Sequence, residues 1–425
     1  MATNGFDTES DEDDETFNED YSNDVEYEDT EIAPAYTRKP ILEVNIGALP
    51  YKNFPQKMVR FSHTMASKIE PLQKGSPKEL ELYLDNLFSQ YFTNVKDLPL
   101  QVGTVVDCML TQQEHKLKIV ADDMILTGKV LDICKLILKN YPTVQTEGFD
   151  AAYENCAEEI SYYANQPMTS KFHTTAKKAI YEYITFLREN SKNEVVSLEA
   201  YNLGTTMATK LQNNLSTRQL LLGGLNQLKL EWNEIIDLPP IDLWPTMNIG
   251  GLSYFINSLN SLIDHYGCER YIVPCKTKLD SLIVKPNLKT IVELKTISNG
   301  ANNITKTVAD FGKKEVFVNM YTREIAIQYQ GLDSCNFGVL PDGTDVDLPF
   351  SPIEAKFIVC EGSRHFEYSV YKVDASVINF GRTQFLAAMI RYVFHRIKGF
   401  DLSLEEYFGG GSRSIMDIPR YMLNF

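Results

Sequence analysis

Two carboxylates and a lysine are spaced to act on a single atom. Lys276-Thr-Lys-Leu-Asp280-Ser-Leu-Ile-Val284 reads as one strand and Thr290-Ile-Val-Glu293-Leu-Lys295-Thr296 as the next, with Pro286-Asn287 as the turn of a hairpin. Residues two apart on a strand share a face, so Glu293 and Lys295 project together, and the partner strand can bring Asp280 beside them. Two converging carboxylates suit Mg²⁺ or Mn²⁺, hard cations that take oxygen ligands. A lysine next to such a cation can orient a water or stabilise charge on a phosphate. That is the equipment for metal-assisted phosphodiester hydrolysis.

As a bare triplet, Glu-x-Lys equally suits an exposed ion pair on a hairpin, which is worth little. Context separates the candidates. Glu114-His-Lys116 follows a polar run, and Glu354-Ala-Lys356 precedes an apolar strand instead of lying in it. Only Glu293-Leu-Lys295 sits inside a β-rich segment preceded by a strand that carries an aspartate.

Other chemistries lack their residues. The six histidines show no HxH, HxxxH or HExxH spacing. There is no GxSxG, no phosphate-binding GxxxxGK(S/T) and no GxGxxG after a strand. The seven cysteines form no CxxC pair, which argues against zinc ribbons and iron–sulfur clusters and for reduced thiols in a cytoplasmic setting, host cytoplasm if the gene is a phage's. No apolar run is long enough to span a bilayer, and no basic-then-apolar signal opens the chain, so no membrane partner is expected.

The elements that must position these residues follow from pattern and charge. Of the chain's 425 residues, 1–36 hold 14 acidic residues and neither Lys nor Arg, leaving 41 basic against 43 acidic residues in the remainder. The overall charge of −16 therefore belongs almost wholly to this segment, which reads as a disordered acidic tail. The near-neutral body leaves room for local basic patches, so nucleic-acid binding is not excluded. Helical spacing is expected over 78–94, more loosely over 117–140, and over 150–165, 169–190, 204–230 and 251–266. Asp237-Leu-Pro-Pro240 and Pro245 break that helical half. After the catalytic hairpin, 304–327 reads as helix, 356–361 and 366–374 as a strand pair, and 376–397 as a closing helix. Gly409-Gly-Gly411 then frees a C-terminal peptide. Trp232 and Trp244 are read as core. Helices first and strands flanked by helices afterwards predict a mixed α/β fold.

Several pieces, in order, resemble the PD-(D/E)xK nuclease superfamily, and within it the phage-type exonucleases related to exodeoxyribonuclease VIII and the RecB nuclease domain. Val102-Gly103-Thr-Val-Val-Asp107 resembles the family's Gly-x-x-x-His segment, with aspartate in the histidine's place. Lys278-Leu-Asp280 and Glu293-Leu-Lys295-Thr296 resemble its two catalytic strands. Phe311–Tyr321 lies where the family carries a Gln-x-x-x-Tyr helix, with Phe317 at the Gln position. The 356–397 unit, with Phe380-Gly381-Arg382, resembles its closing strand–strand–helix.

The resemblance implies a restriction-endonuclease-like core, with a central mixed sheet flanked by helices and a helical N-terminal portion. It implies a nuclease domain over 37–408, its helical part at about 78–266 and its α/β core at about 95–130 and 268–400, before the linker and peptide at 409–425. Asp280, Glu293 and the Leu294 backbone carbonyl would hold Mg²⁺ or Mn²⁺, with Asp107 as a further ligand. Lys295 would position the attacking water, and Lys276, Lys278 and Thr296 would meet DNA. The expected activity is exonucleolytic hydrolysis at duplex DNA ends, in phage recombination or DNA processing. Single-stranded DNA, a homo-oligomer and a single-strand annealing or binding protein are the implied partners. Two other readings stay open. One is a decayed nuclease fold that only binds DNA or supports an assembly. The other is an interaction protein acting through its acidic, DNA-mimicking tail.

Overall fold

The computed structural model describes residues 42–51, 58–73, 75–88, 96, 98–141, 144, 146–247, 249–297, 307–312, 316–361, 366–402 and 404–408. The acidic tail and the C-terminal peptide lie outside these residues. Leaving one-turn helices unnumbered, the order is β1 (Leu42–Asn45), α1 (His63–Ile69), α2 (Pro77–Phe88), α3 (Leu98–Leu110), β2 (Leu117–Val120), α4 (Gly128–Asn140), α5 (Phe149–Glu159), α6 (Lys171–Glu189), β3 (Glu194–Ser197), α7 (Leu198–Asn213) and α8 (Leu215–Leu222). The second half runs β4 (Leu225–Leu238), α9 (Leu252–Asn257), α10 (Leu259–Tyr266), β5 (Glu269–Lys285), β6 (Leu288–Ile297), α11 (Tyr321–Ser334), β7 (Phe337–Val339), β8 (Asp345–Asp347), β9 (Ile353–Glu361), β10 (Tyr368–Lys372) and α12 (Ala375–Lys398).

The fold is mixed α/β. The main sheet has the order β10-β9-β6-β5-β4-β7-β8, with β1 parallel to the start of β5. β5 is the hub. Its first part pairs antiparallel with β4, from Leu238↔Glu269 to Leu225↔Leu282. Its end pairs with β6 only from Ser281↔Val292 to Lys285↔Leu288. β6 then leaves β5 and runs parallel to β9, from Lys289↔Ile353 to Ile297↔Glu361. The hairpin is zipped at its two-residue turn and open at its far end.

Helices cover both faces. On one, Ile291, Ile297, Leu279 and Leu282 pack against Ile325 and Leu332 of α11. On the other, Val292 and Ile358 pack under Val105 of α3 and Met207 of α7. Leu279 and Leu282 lie three apart yet in the same cluster, so the two-residue alternation of β5 slips by one around Asp280. The helical insertion α4–α6 has its own core around Ile133, Tyr153 and Ile180.

α11 is fixed along its length. Arg323, fully buried, donates to Ser67 Oγ (2.9 Å) and Gln73 Oε1 (2.8 Å) and lies 3.5 Å from the Glu70 carboxylate. Glu70 in turn holds Arg391 of α12 at 3.4 Å. α12 crosses so close that a Cβ on Gly381 would stand 2.0 Å from the Thr322 carbonyl oxygen.

Besides Glu354-Ala-Lys356, which lies inside β9 and not ahead of it, three expectations need correction. The helix expected over 204–230 ends at Leu222, and Leu225–Leu238 is a long strand in mid-sheet. Its residues alternate between buried (Leu228, Leu230, Trp232) and exposed (Lys229, Glu231, Asn233). That is a strand's period of two, and Gly223-Gly224 separates it from the helix. Second, Leu117–Val120 is a short strand parallel to β3, and only Gly128–Asn140 of that segment is helical. Third, of the helix expected over 304–327 the described residues hold single turns at Val308–Asp310 and Val316–Val318 and then a continuous helix from Tyr321 on to Ser334, while 304–306 and 313–315 lie outside them. Trp232 and Trp244 are buried, as expected, and the cysteines of the described residues are free thiols. Among those residues no helix is long and apolar enough to cross a membrane.

Candidate active site

Asp280 and Glu293 meet where β5 and β6 part. Beyond Ser281↔Val292 the strands are bridged by side chains instead of ladder bonds. The Asp280 N–H donates to Glu293 Oε1 (3.3 Å), and the Leu294 N–H donates to Asp280 Oδ2 (2.9 Å). Each carboxylate thus satisfies a backbone donor that the separation would leave unmet.

Glu293 is 1% exposed. Burial, and next to it the charge of Asp280, drives its carboxyl well above the usual carboxylate range, with Lys295 opposing. Lys295 Nζ lies 3.1 Å from Glu293 Oε2 and 2.7 Å from Glu324 Oε2. Burial works against the ammonium, but Glu324, then Glu293 and Asp280, outweigh it and hold Lys295 well above the ordinary lysine range. Lys295 thus stands between two carboxylates, which favour its charged form. Its ammonium also sits 4.9 Å from the centre of the Tyr321 ring.

Asp107 comes to the same region on α3. Gly103, one turn earlier, lets the helix approach: a Cβ there would lie 2.8 Å from Thr296 Oγ1. Thr296 thus faces α3. Burial and then Asp280 push Asp107 up to about 6, with Lys278 the main opposing charge. Its Oδ1 accepts a 2.9 Å bond from Gln227 Nε2. Among the described residues no group of three or more His, Cys, Asp or Glu side chains forms a metal cage, so Asp107 stands beside the pair and not in one cluster with it.

Lys276 and Lys278 share a face of β5, and Lys278 is exposed. Lys229 of β4 stands directly opposite Lys278 in register. Like charges so placed repel unless an anion lies between them. Lys229 was hidden from sequence reasoning by the helical reading of β4.

Gln328, Glu324 and Gln227 were also missed. Gln328 Nε2 donates to Glu293 Oε1 at 2.6 Å, from a side chain 1% exposed. Phe317, at the position where the resembled family carries glutamine, packs edge-on against Phe380 instead. Tyr321 proves to be part of the site and core at once, stacking on Phe311 while its ring faces Lys295. For Glu324 and Gln328 the one local signal is their four-residue spacing on a helix, which puts them on one face without saying what that face meets.

The donor set suits a hard cation. Two carboxylates converge in a buried setting where one lysine offsets only part of their charge. Mg²⁺ needs one or two carboxylates, completing its shell with waters and substrate phosphate. No family model matches the chain, and no curated protein does. A crystal structure of a "putative exonuclease" from Eubacterium rectale is similar over 86% of this chain and 92% of its own, at 9% identity and a TM-score of 0.38. A likeness that distant carries no argument about chemistry.

Proposed function

We propose that this chain is a Mg²⁺- or Mn²⁺-dependent deoxyribonuclease that hydrolyses phosphodiester bonds at the ends of duplex DNA. The observation that carries the reading is the meeting of Asp280 and Glu293 at the parting of β5 and β6, with Lys295 bonded to Glu293.

In this reading Asp280, Glu293 and the Leu294 carbonyl would hold the metal, and Asp107, which stands beside that pair on α3, would join its shell only as a further ligand. The bound cation supplies Lewis-acid polarisation of the phosphate and a lowered pKa for its water. Lys295 orients that water and offsets the charge that grows on the phosphate oxygens. Lys276, Lys278 and Lys229 lie on one face beside Asp280 and are placed to take backbone phosphates. Those would be contacts to a charged backbone, so they would take a nucleic-acid strand without reading its sequence. Thr296 is set against Gly103 of α3. The preference for ends, a role in phage recombination, a ring-forming homo-oligomer and an annealing partner extend the same reading from the resemblance.

The test is a cleavage assay on linear and closed-circular duplex DNA with Mg²⁺ or Mn²⁺. Loss of the linear form alone, abolished by chelator and by Asp280→Ala, is the expected result. Cutting of the circle would move the reading to an endonuclease using the same residues. No cutting with either metal would overturn it.

A further inference from the structure

One face of one helix touches both halves of the Glu293-x-Lys295 pair. Tyr321, Glu324 and Gln328 fall at i, i+3 and i+7 of α11, a single stripe. Tyr321 and Glu324 hold the Lys295 ammonium, at 4.9 Å from the ring centre and 2.7 Å from the carboxylate. Gln328 holds the Glu293 carboxylate at 2.6 Å. The stripe cannot drift, because Arg323 and Thr322 of the same turn are fully buried against α1 and α12.

We infer that Glu324 and Gln328 are positioning residues with divided tasks, Glu324 for the lysine and Gln328 for the metal-binding carboxylate. The inference rests on the nuclease reading above and deepens it. Glu293 has two oxygens. Oε2 faces Lys295, while Oε1 takes the Gln328 amide and the Asp280 N–H. When Glu293 turns charge toward a cation, its hold on Lys295 weakens. Glu324 then keeps the ammonium in place, so the lysine does not follow the carboxylate or swing into the metal's position. Gln328, a neutral donor, fixes the rotamer of Glu293 without competing for the cation by charge. A lysine held by Glu293 alone would lose its anchor at the moment the site fills.

The test separates the two tasks by readouts that a general structural role would move together. Mn²⁺ affinity is measured by titration calorimetry on the full chain without DNA, and kcat and KM on linear duplex, for wild type, Glu324→Gln and Gln328→Ala. Glu324→Gln is expected to lower kcat by at least tenfold while leaving KM and Mn²⁺ affinity within about twofold. Gln328→Ala is expected to weaken Mn²⁺ binding by about 10-fold or more, the range for partners that orient a metal ligand. Glu324→Asp withdraws the charge by one methylene and gives the same reading if the Gln variant does not fold. The inference is overturned if Glu324→Gln keeps wild-type kcat, or if both variants change Mn²⁺ affinity, kcat and melting temperature in parallel. Wild type that neither binds Mn²⁺ nor cuts would instead overturn the nuclease reading itself.

Discussion

Gln227 and Asp280 face one another across β4 and β5 at the one position where that ladder skips a pair, and Gln227 holds a left-handed backbone with φ of 58°. A buried non-glycine residue in that region is strained, and here the strain turns the Gln227 amide onto Asp107. Removing the side chain separates the two effects. Gln227→Gly should be more stable than Gln227→Ala by about 1 kcal/mol, since only glycine adopts this φ freely. Urea unfolding of both variants measures the difference.

Asp280→Ala and Lys295→Ala should each lower kcat by about 10²–10³-fold, the usual loss when one group that stabilises transition-state charge is removed. Neither removes a lysine of the Lys276–Lys278–Lys229 face, so duplex binding in Ca²⁺ should persist. Filter binding beside single-turnover cleavage checks both halves of this expectation.

How much of this was legible beforehand depends on range. The hairpin, its turn and the Glu293-x-Lys295 register could be read because they are local: two β-rich runs, one Pro-Asn, one alternation. Gly103 and Asp107 are reached only through the resemblance to a Gly-x-x-x-His segment, since no helical pattern is read over Leu98–Leu110. β4 could not, because the helical run before it was carried through Gly223-Gly224, and with it went Lys229 and Gln227. Glu324 and Gln328 reach the site from a helix joined to β6 through a long connection. Their role lies in where α11 is packed, which Arg323, Glu70 and Gly381 decide, and no local pattern encodes that.

Gly381→Ala tests that packing. The new methyl would meet the Thr322 carbonyl, a backbone atom that cannot turn aside. A loss of about 1–3 kcal/mol is expected from overpacking, seen as a lower urea midpoint. Cleavage should fall as well, because α11 carries the residues that hold Lys295 and Glu293.

His63, at the start of α1, gives a pH test away from the carboxylate pair. Burial, and then Arg323, lowers its pKa to about 4 from an ordinary 6.5, against the pull of Glu324. Its Nδ1 is buried without a hydrogen-bond partner. A folded-state pKa below the unfolded one means stability is present above about 6.5 and is lost as pH falls toward 4. The urea midpoint of the wild type should drop across that window, and that of His63→Gln should drop less.

The side chains that close the gap between β5 and β6 are the same ones a cation would claim. While Asp280 accepts the Leu294 N–H and Glu293 accepts the Asp280 N–H, those two amides are shielded. Asp280, when it turns to a metal, gives up the Leu294 amide to solvent, whereas Gln328 keeps Glu293 Oε1 on the Asp280 N–H. Ligand occupancy should therefore be written into hydrogen–deuterium exchange at residue 294, which should quicken on addition of Mg²⁺ while residue 280 and the paired amides of Ser281–Lys285 stay slow. The chain would thus carry an isotopic record of whether its site is filled, readable without DNA and without turnover.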